Sequence, residues 1–232
     1  MILPSNSKFS IGYLESLMRS AQTKEEDPIQ KIIQRAIESS CTVFGQAGKS
    51  RWTGSGFLIG NKVIVTAGHV AGPVEEQGHI DIAVTFDAKS IYSCSVIAVD
   101  HNIDVGLLYC QEAVHLPSVK LGNSDTAEIG DIVAAIGSPQ GWHDTATVGR
   151  ISNIHQSLND PSQPAWSDII FIDADILEGA SGGMCIGTDG LVYGSIVGVT
   201  GTHAEIGIGE RAVCPSNKIR QLVAQILNNA QF

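Results

Sequence analysis

The sequence carries little charge: Asp, Glu, Lys and Arg make up 16% of its 232 residues, and aromatic side chains only 6%. The charge it has is lopsided, with 14 Lys and Arg against 24 Asp and Glu and a formal net charge of −10. A basic face for a nucleic-acid backbone or an anionic membrane surface is therefore not expected, and cationic partners are mildly favoured. No apolar run approaches the roughly 20 residues that cross a bilayer. The first residues, MILPSNSKFSIGYLESLMRS, lack the basic stretch and apolar core of a secretion signal. No CxxC or HxxxH pairing occurs, so no metal or other cofactor is expected. The five cysteines (Cys41, Cys94, Cys110, Cys185 and Cys214) are odd in number, widely spaced and mostly set in apolar runs, which reads as buried free thiols of a reducing compartment. The expectation is a soluble, cytoplasmic protein.

What the chain has in quantity is glycine, 25 residues, and short apolar runs. Residues 1–40 read as helical, with one stripe at Ile11, Leu14, Leu17 and Met18 and a second at Ile29, Ile32, Ile33, Ala36 and Ile37. Between them Asp27 suits an N-cap, Pro28 the first helical position and Gln30 the return partner of a capping box. From Cys41 the period changes to short β runs: 41–46, 54–60, 62–68, 80–86, 93–100 and 104–110. After a polar loop near 122–130 follow 131–138, 144–154, 169–175, 183–187, 191–201 and 205–214. Six and six strands at this spacing imply two β lobes, 41–125 and 126–215, with a cleft between them. A closing helix over 216–232 has Ser216 as its N-cap and Ile219, Leu222, Val223, Ile226 and Leu227 on one face.

Three stretches carry chemistry. In DADILEGASGG (173–183), Ser181 sits on a tight bend between apolar runs, and Gly179, Gly182 and Gly183 let successive N–H groups point into one hollow, as an oxyanion hole requires. In TAGHV (66–70), His69 lies just past a β-branched strand. In HNIDVGLLYC (101–110), Asp104 opens an apolar strand. Alone, the first is more often just a turn, the second a satisfied loop histidine, the third a cap. Together they supply what a serine nucleophile needs: a base with a pKa near ~6.5 and a carboxylate to fix its tautomer.

These stretches resemble the trypsin-fold (chymotrypsin-like) serine proteases, and more closely the protease domain of the high-temperature-requirement (HtrA/Deg) family. TGSGFLIGNKVIVTAGHV (53–70) is similar to that family's histidine motif, DVGLL (104–108) to its aspartate strand, and IDADILEGASGG (172–183) to its nucleophile loop. AIGSPQGWHDTATVGRISNI (135–154) and GIGERAVCPSNKI (207–219) extend the likeness, so that it covers 41–228. The resemblance implies an all-β core of two six-stranded antiparallel Greek-key barrels with helices at both ends. It implies a His69, Asp104, Ser181 triad hydrolysing peptide bonds through an acyl-enzyme, with the Gly179 and Ser181 amides as oxyanion donors. Substrate, a peptide or protein, would add as a strand beside Val199, Thr200, Gly201 and Thr202. Asp175, six residues before the serine, stands where trypsins hold the aspartate that receives a basic P1 side chain; alanine- or valine-like P1 is the alternative.

The sequence departs from the pattern at three places. Ala180 stands where secreted trypsins have aspartate and the Deg family asparagine, and Glu178 where the latter usually has proline. Something else must hold the loop, so a catalytically silent or partner-activated peptide-binding module stays open as an alternative. An esterase is disfavoured because strand, not helix, follows the serine. No PDZ-type domain follows the barrels in this sequence, so Deg-like chaperone assembly is not expected. The resemblance does not reach residues 1–40, which are expected to dock a regulatory partner.

Overall fold

The computed structural model describes residues 27–60, 62–72, 80–112, 115–158, 166–200 and 210–229. Helix α1 spans Pro28–Ile37. Its N-cap is Asp27, whose carboxylate accepts from Ile29 N–H at 3.1 Å. Gln30 contributes only its own amide, to the Asp27 carbonyl, so one carboxylate and Pro28 start the helix without a capping box. The stripe at Ile11 to Met18 lies outside the described residues.

The strands are β1 Ser40–Ala47, β2 Ser50–Leu58, β3 Val63–Ala67, β4 Ile80–Thr85, β5 Tyr92–Asp100 and β6 Val105–Tyr109. They close into a barrel in the order β1-β2-β3-β6-β5-β4, sealed by β1 against β4. A short β7, Lys120–Leu121, precedes the second set: β8 Ile132–Gly137, β9 Thr145–Leu158, β10 Trp166–Ile172, β11 Met184–Gly187, β12 Leu191–Thr200 and β13 Glu210–Pro215. Their order is β11-β8-β9-β10-β13-β12, and pairing of β11 with β12 closes the circuit. The twelve expected strands are all present, and β7 is an addition, pairing parallel to β12 at the rim.

The near-continuous apolar runs follow from strands buried on both faces. Leu58, Ile64 and Leu108 point into the first barrel, while their neighbours Phe57, Val65 and Leu107 join a cluster shared by both barrels. In the second barrel Ile170, Ile172 and Cys185 face inward, and Ile169, Phe171 and Met184 face the shared cluster. A fully buried apolar side chain contributes roughly 1.5–3 kcal/mol, so this common cluster fixes one barrel against the other. Helix α1 lays Ile29, Ile32, Ile33, Ala36 and Ile37 on it.

A short turn of helix, α2 (Gly68–Ala71), follows β3, and α3 (Ser216–Asn229) closes the fold on the same shared cluster through Ile219 and Leu222. The Ser216 hydroxyl does not cap α3; it donates to the Gly122 carbonyl at 2.7 Å, and the Ser124 hydroxyl instead accepts from Asn217 N–H at 3.2 Å. The helix is thus tied to the inter-barrel loop at its first turn.

Candidate active site

The end of β3 and the start of β6 are paired, Ala67 opposite Val105. That register brings α2, one residue beyond β3, against the turn just before β6. His69 and Asp104 meet there. The Asp104 carboxylate accepts from the His69 backbone N–H through Oδ1 and from ring Nδ1 through Oδ2, both at 2.8 Å. Asp104 is nearly buried, at 7% side-chain exposure, while the imidazole is open at 53%. Gly68 makes the approach feasible, since a Cβ there would lie 3.0 Å from Asp104 Oδ1. Asp104 itself has φ +52, a left-handed conformation that aspartate tolerates better than most residues. Using both carboxylate oxygens on one histidine fixes the Nδ1–H tautomer and leaves Nε2 free to take a proton.

Ser181 follows β10 on the turn expected from its glycines, with φ +91 at Gly179 and +89 at Gly182. Gly182 is pressed onto the first barrel: a Cβ there would be 2.1 Å from Ser55 O, 2.4 Å from Thr66 Oγ1 and 2.7 Å from Ala67 N. The serine turn is therefore docked beside the end of β3, two residues from His69. Among the described residues the Ser181 hydroxyl makes no hydrogen bond, the His69 imidazole included.

The amides of the turn divide cleanly. Ala180 N–H donates to Leu177 O at 3.1 Å, Gly182 N–H to Ile196 O at 2.7 Å and Gly183 N–H to Ala180 O at 2.9 Å, whereas Gly179 and Ser181 N–H donate to nothing among the described residues. Two alternate amides, unclaimed and adjacent to a hydroxyl, are the donors an oxyanion needs. Ala180, where a polar side chain was expected from the resemblance, is held by burial at 5% exposure in the second barrel's core.

Beside the turn lies a cavity of about 420 Å³ lined by Pro139, Thr147, Asp175, Ile176, Ala180, Ile196 and Arg211 among others. Asp175 lies at this cavity, exposed and not buried. Its carbonyl accepts from the Thr147 hydroxyl at 2.6 Å. The buried charge in the wall is Arg211, 5% exposed, on β13. The backbones of Val199 and Thr200 pair with Arg211 and Glu210, while Gly201 and Thr202 lie outside the described residues.

Two residues escaped the sequence reading. Arg211 was hidden inside an apolar strand, where only its incongruity could have marked it. Ser55, between two glycines of β2 and so without any mark in the sequence, is fully buried and bonded to both lobes. Its N–H donates to Ser181 O, its hydroxyl donates to Gly179 O and accepts from Ser138 N–H, each at 2.8 Å, and its carbonyl accepts from Thr66 Oγ1 at 2.7 Å.

Comparison with known proteins identifies the family and the fold. The trypsin-like peptidase domain family matches residues 54–194. The probable periplasmic serine endoprotease DegP-like of Pseudomonas fulva is 36% identical over 196 residues, 82% of this chain and 37% of that protein. The DegP-like protein of Buchnera aphidicola is 33% identical over 188 residues, 79% of this chain and 38% of that one. Human serine protease HTRA4 is 30% identical over 176 residues, 75% and 35% respectively. The chain thus spans little more than a third of the length of these relatives. Among solved structures, the HtrA-type protease AlgW with a decapeptide superposes with a TM-score of 0.73 at 21% identity, covering 88% of this chain and 68% of that one. The active form of the Rv3671c protease of M. tuberculosis gives 0.71 at 24%, covering 84% and 83%. These two share the fold.

The bacterial relatives are named periplasmic enzymes, and the expected cytoplasmic placement does not stand. The thiols on which it leaned are free, but burial pushes Cys185 and Cys214 up to about 12. Such protonated, inaccessible sulfurs resist oxidation in any compartment and report nothing about location. Among the described residues no helix is long and apolar enough to cross a membrane.

Proposed function

The chain belongs to the trypsin-like peptidase domain family, and from that premise we propose that it is a serine endopeptidase whose catalytic groups are Ser181, His69 and Asp104. The observation that carries the proposal is the His69–Asp104 pair at 2.8 Å beside a serine turn with two unclaimed amides. Ser181 Oγ attacks the scissile carbonyl as His69 Nε2 takes its proton, and Asp104 stabilises the imidazolium formed. The oxyanion is received by Gly179 and Ser181 N–H. His69 then protonates the departing amine, and a water activated by the same nitrogen releases the acyl group. The unclosed contact between hydroxyl and imidazole fits this role, because catalytic hydrogen bonds commonly tighten only with substrate in place.

Residues 41–125 then provide base and orienter, and 126–215 nucleophile and pocket. Substrate would lie along Val199 and Thr200. Asp175 at the cavity would accept a basic P1 side chain, and the apolar walls at Ile176 and Ile196 would hold a small aliphatic one; a peptide-library cleavage profile decides between them. DegP-like relatives are named periplasmic, and an extracytoplasmic site of action is proposed for this chain. Residues 1–26, preceding a helix that packs on its own barrels, are proposed to dock a regulatory partner, and unchanged activity and stability after their deletion would count against that.

Fluorophosphonate labelling tests the assignment. Label should vanish in Ser181→Ala and persist in Ser39→Ala, whose serine is buried at 1% exposure. A wild-type chain that takes no label under any condition would sink the endopeptidase and favour a peptide-binding module.

A further inference from the structure

Each peptide plane in the nucleophile turn must be turned the right way for two N–H groups to face one point. In a trans peptide the N–H points opposite to the preceding carbonyl, so a hydrogen bond to that carbonyl aims the amide. Four successive carbonyls of the turn are all engaged. Glu178 O accepts from Gln140 N–H at 3.2 Å, Gly179 O from the Ser55 hydroxyl at 2.8 Å, Ala180 O from Gly183 N–H at 2.9 Å and Ser181 O from Ser55 N–H at 2.8 Å. One residue, Ser55, therefore sets two of the four planes.

It also acts on a third. The hydroxyl that donates to Gly179 O accepts from Ser138 N–H at 2.8 Å, anchoring the 138–141 turn. That turn presents Gln140, held at φ +53, whose N–H fixes the Glu178–Gly179 plane and so aims Gly179 N–H. Left-handed backbone at a residue other than glycine persists only where its surroundings impose it, and Pro139 and Gln140 are packed against Gly179, where a Cβ would meet Gln140 N at 2.7 Å. Ala180 cannot do this work. Its methyl is buried, but burial is non-directional and leaves a peptide free to flip.

We infer that Ser55 is a positioning residue of the reaction: reaching across from the first lobe, its hydroxyl and amide fix the Gly179–Ala180 and Ser181–Gly182 planes that flank the oxyanion donors, and through Ser138 and Gln140 the hydroxyl also aims the Gly179 amide, in place of a polar side chain at Ala180. The inference rests on the endopeptidase reading for its kinetic consequence, but the brace itself is a statement about the turn's conformation. Removing the hydroxyl leaves the buried Ser138 N–H and the half-buried Gly179 O without these partners. The Glu178–Gly179 plane is then free to turn its amide away.

The experiment compares Ser55→Ala with Ser216→Ala in the full chain. Ser216 is also fully buried and also donates to a backbone carbonyl, Gly122 O at 2.7 Å, but at the start of α3, away from the turn. Both variants should lower the thermal midpoint. Only Ser55→Ala should lower kcat, by about 10²-fold as for loss of one oxyanion donor, with KM within a few-fold of wild type. Affinity for a peptidyl boronate, whose tetrahedral anion occupies the oxyanion site, should fall in step with kcat. Amide exchange over 138–141 and 178–181 should accelerate in Ser55→Ala alone. An unchanged kcat, a KM that moves as much as kcat, or equal exchange in the two variants would overturn the inference. If the wild type neither cleaves peptides nor takes a fluorophosphonate, the endopeptidase reading fails, and the exchange comparison still decides for or against the brace. Should Ser55→Ala be too unstable to purify, Ser55→Cys, close in size with a far weaker hydrogen-bonding group, carries the same expectation and the same refutation.

Discussion

Adding one methyl group at Gly182 perturbs the joint between the lobes more than any other single-carbon change at the site. Its φ of +89 already excludes an ordinary side chain, and the new Cβ would stand 2.1 Å from Ser55 O and 2.7 Å from Ala67 N, both backbone atoms that cannot swing aside. The strained conformation costs about 1–2 kcal/mol. Overpacking adds about 1–3 kcal/mol, and the stiffer unfolded chain returns somewhat under 1 kcal/mol. Gly182→Ala should thus lose about 2–4 kcal/mol, a fall in thermal midpoint on the order of 5–15 °C. Relief of the clash requires Ser181 to retreat from β3 by roughly an ångström, which should cost on the order of 10²-fold in kcat. Gly48 supplies the control, with φ +58 and nothing within 4 Å of its Cβ, so Gly48→Ala should show the backbone strain alone and full activity. Urea unfolding and peptide hydrolysis measured on both variants decide the matter. Equal stability losses, or wild-type kcat in Gly182→Ala, would refute the reasoning.

Asp104→Asn should keep the fold, since asparagine accepts the left-handed turn, but lower kcat by about 10³–10⁴-fold because the amide cannot hold the Nδ1–H tautomer; a change under tenfold at an unchanged thermal midpoint would count against the proposed triad. Burial holds Cys185 and Cys214 at about 12 against an ordinary 9.0. The unfolded chain therefore loses protons above pH 9 that the native chain keeps. Stability should be intact below pH 9 and fall toward pH 12 by up to about 1.4 kcal/mol per thiol per unit, and a urea midpoint unchanged between pH 8 and 10.5 would contradict this. Asp87 is an exposed loop carboxylate held down to about 2, chiefly by the Ser90 and Lys89 amides. The loop's order should persist below the ordinary carboxylate range and be lost only as pH falls toward 2. Ser90 and Lys89 amide shifts followed by NMR should titrate there, and a midpoint near 4 would show that the amides do not cap it.

The strands were legible because each is short, apolar and bounded by glycine or polar turns, and because burial on both faces left runs such as Ile169 to Ile172 with no competing helical period. His69, Asp104 and Ser181 were legible as motifs, since a β-branched strand must end before a side chain can turn into a cleft. What could not be read was anything that depends on one strand facing another. Ser55 looks like filler in GSGFLIG until β2 is laid beside the serine turn. Arg211 in an apolar strand and Asp175 near the serine gave no sign of which would be buried, because burial there is decided by the opposite cavity wall. The same holds for Ser216, whose cap signature is genuine as local chemistry but is outcompeted by a carbonyl nearly a hundred residues earlier, Gly122 O.

The division of the proposed machinery between the two barrels has a consequence for synthesis. A ribosome releases the imidazole and its carboxylate early, in a half that has no hydroxyl to activate. That proposed machinery would be incomplete until the later half has emerged and docked, so an unfinished chain would hold a base with nothing to activate.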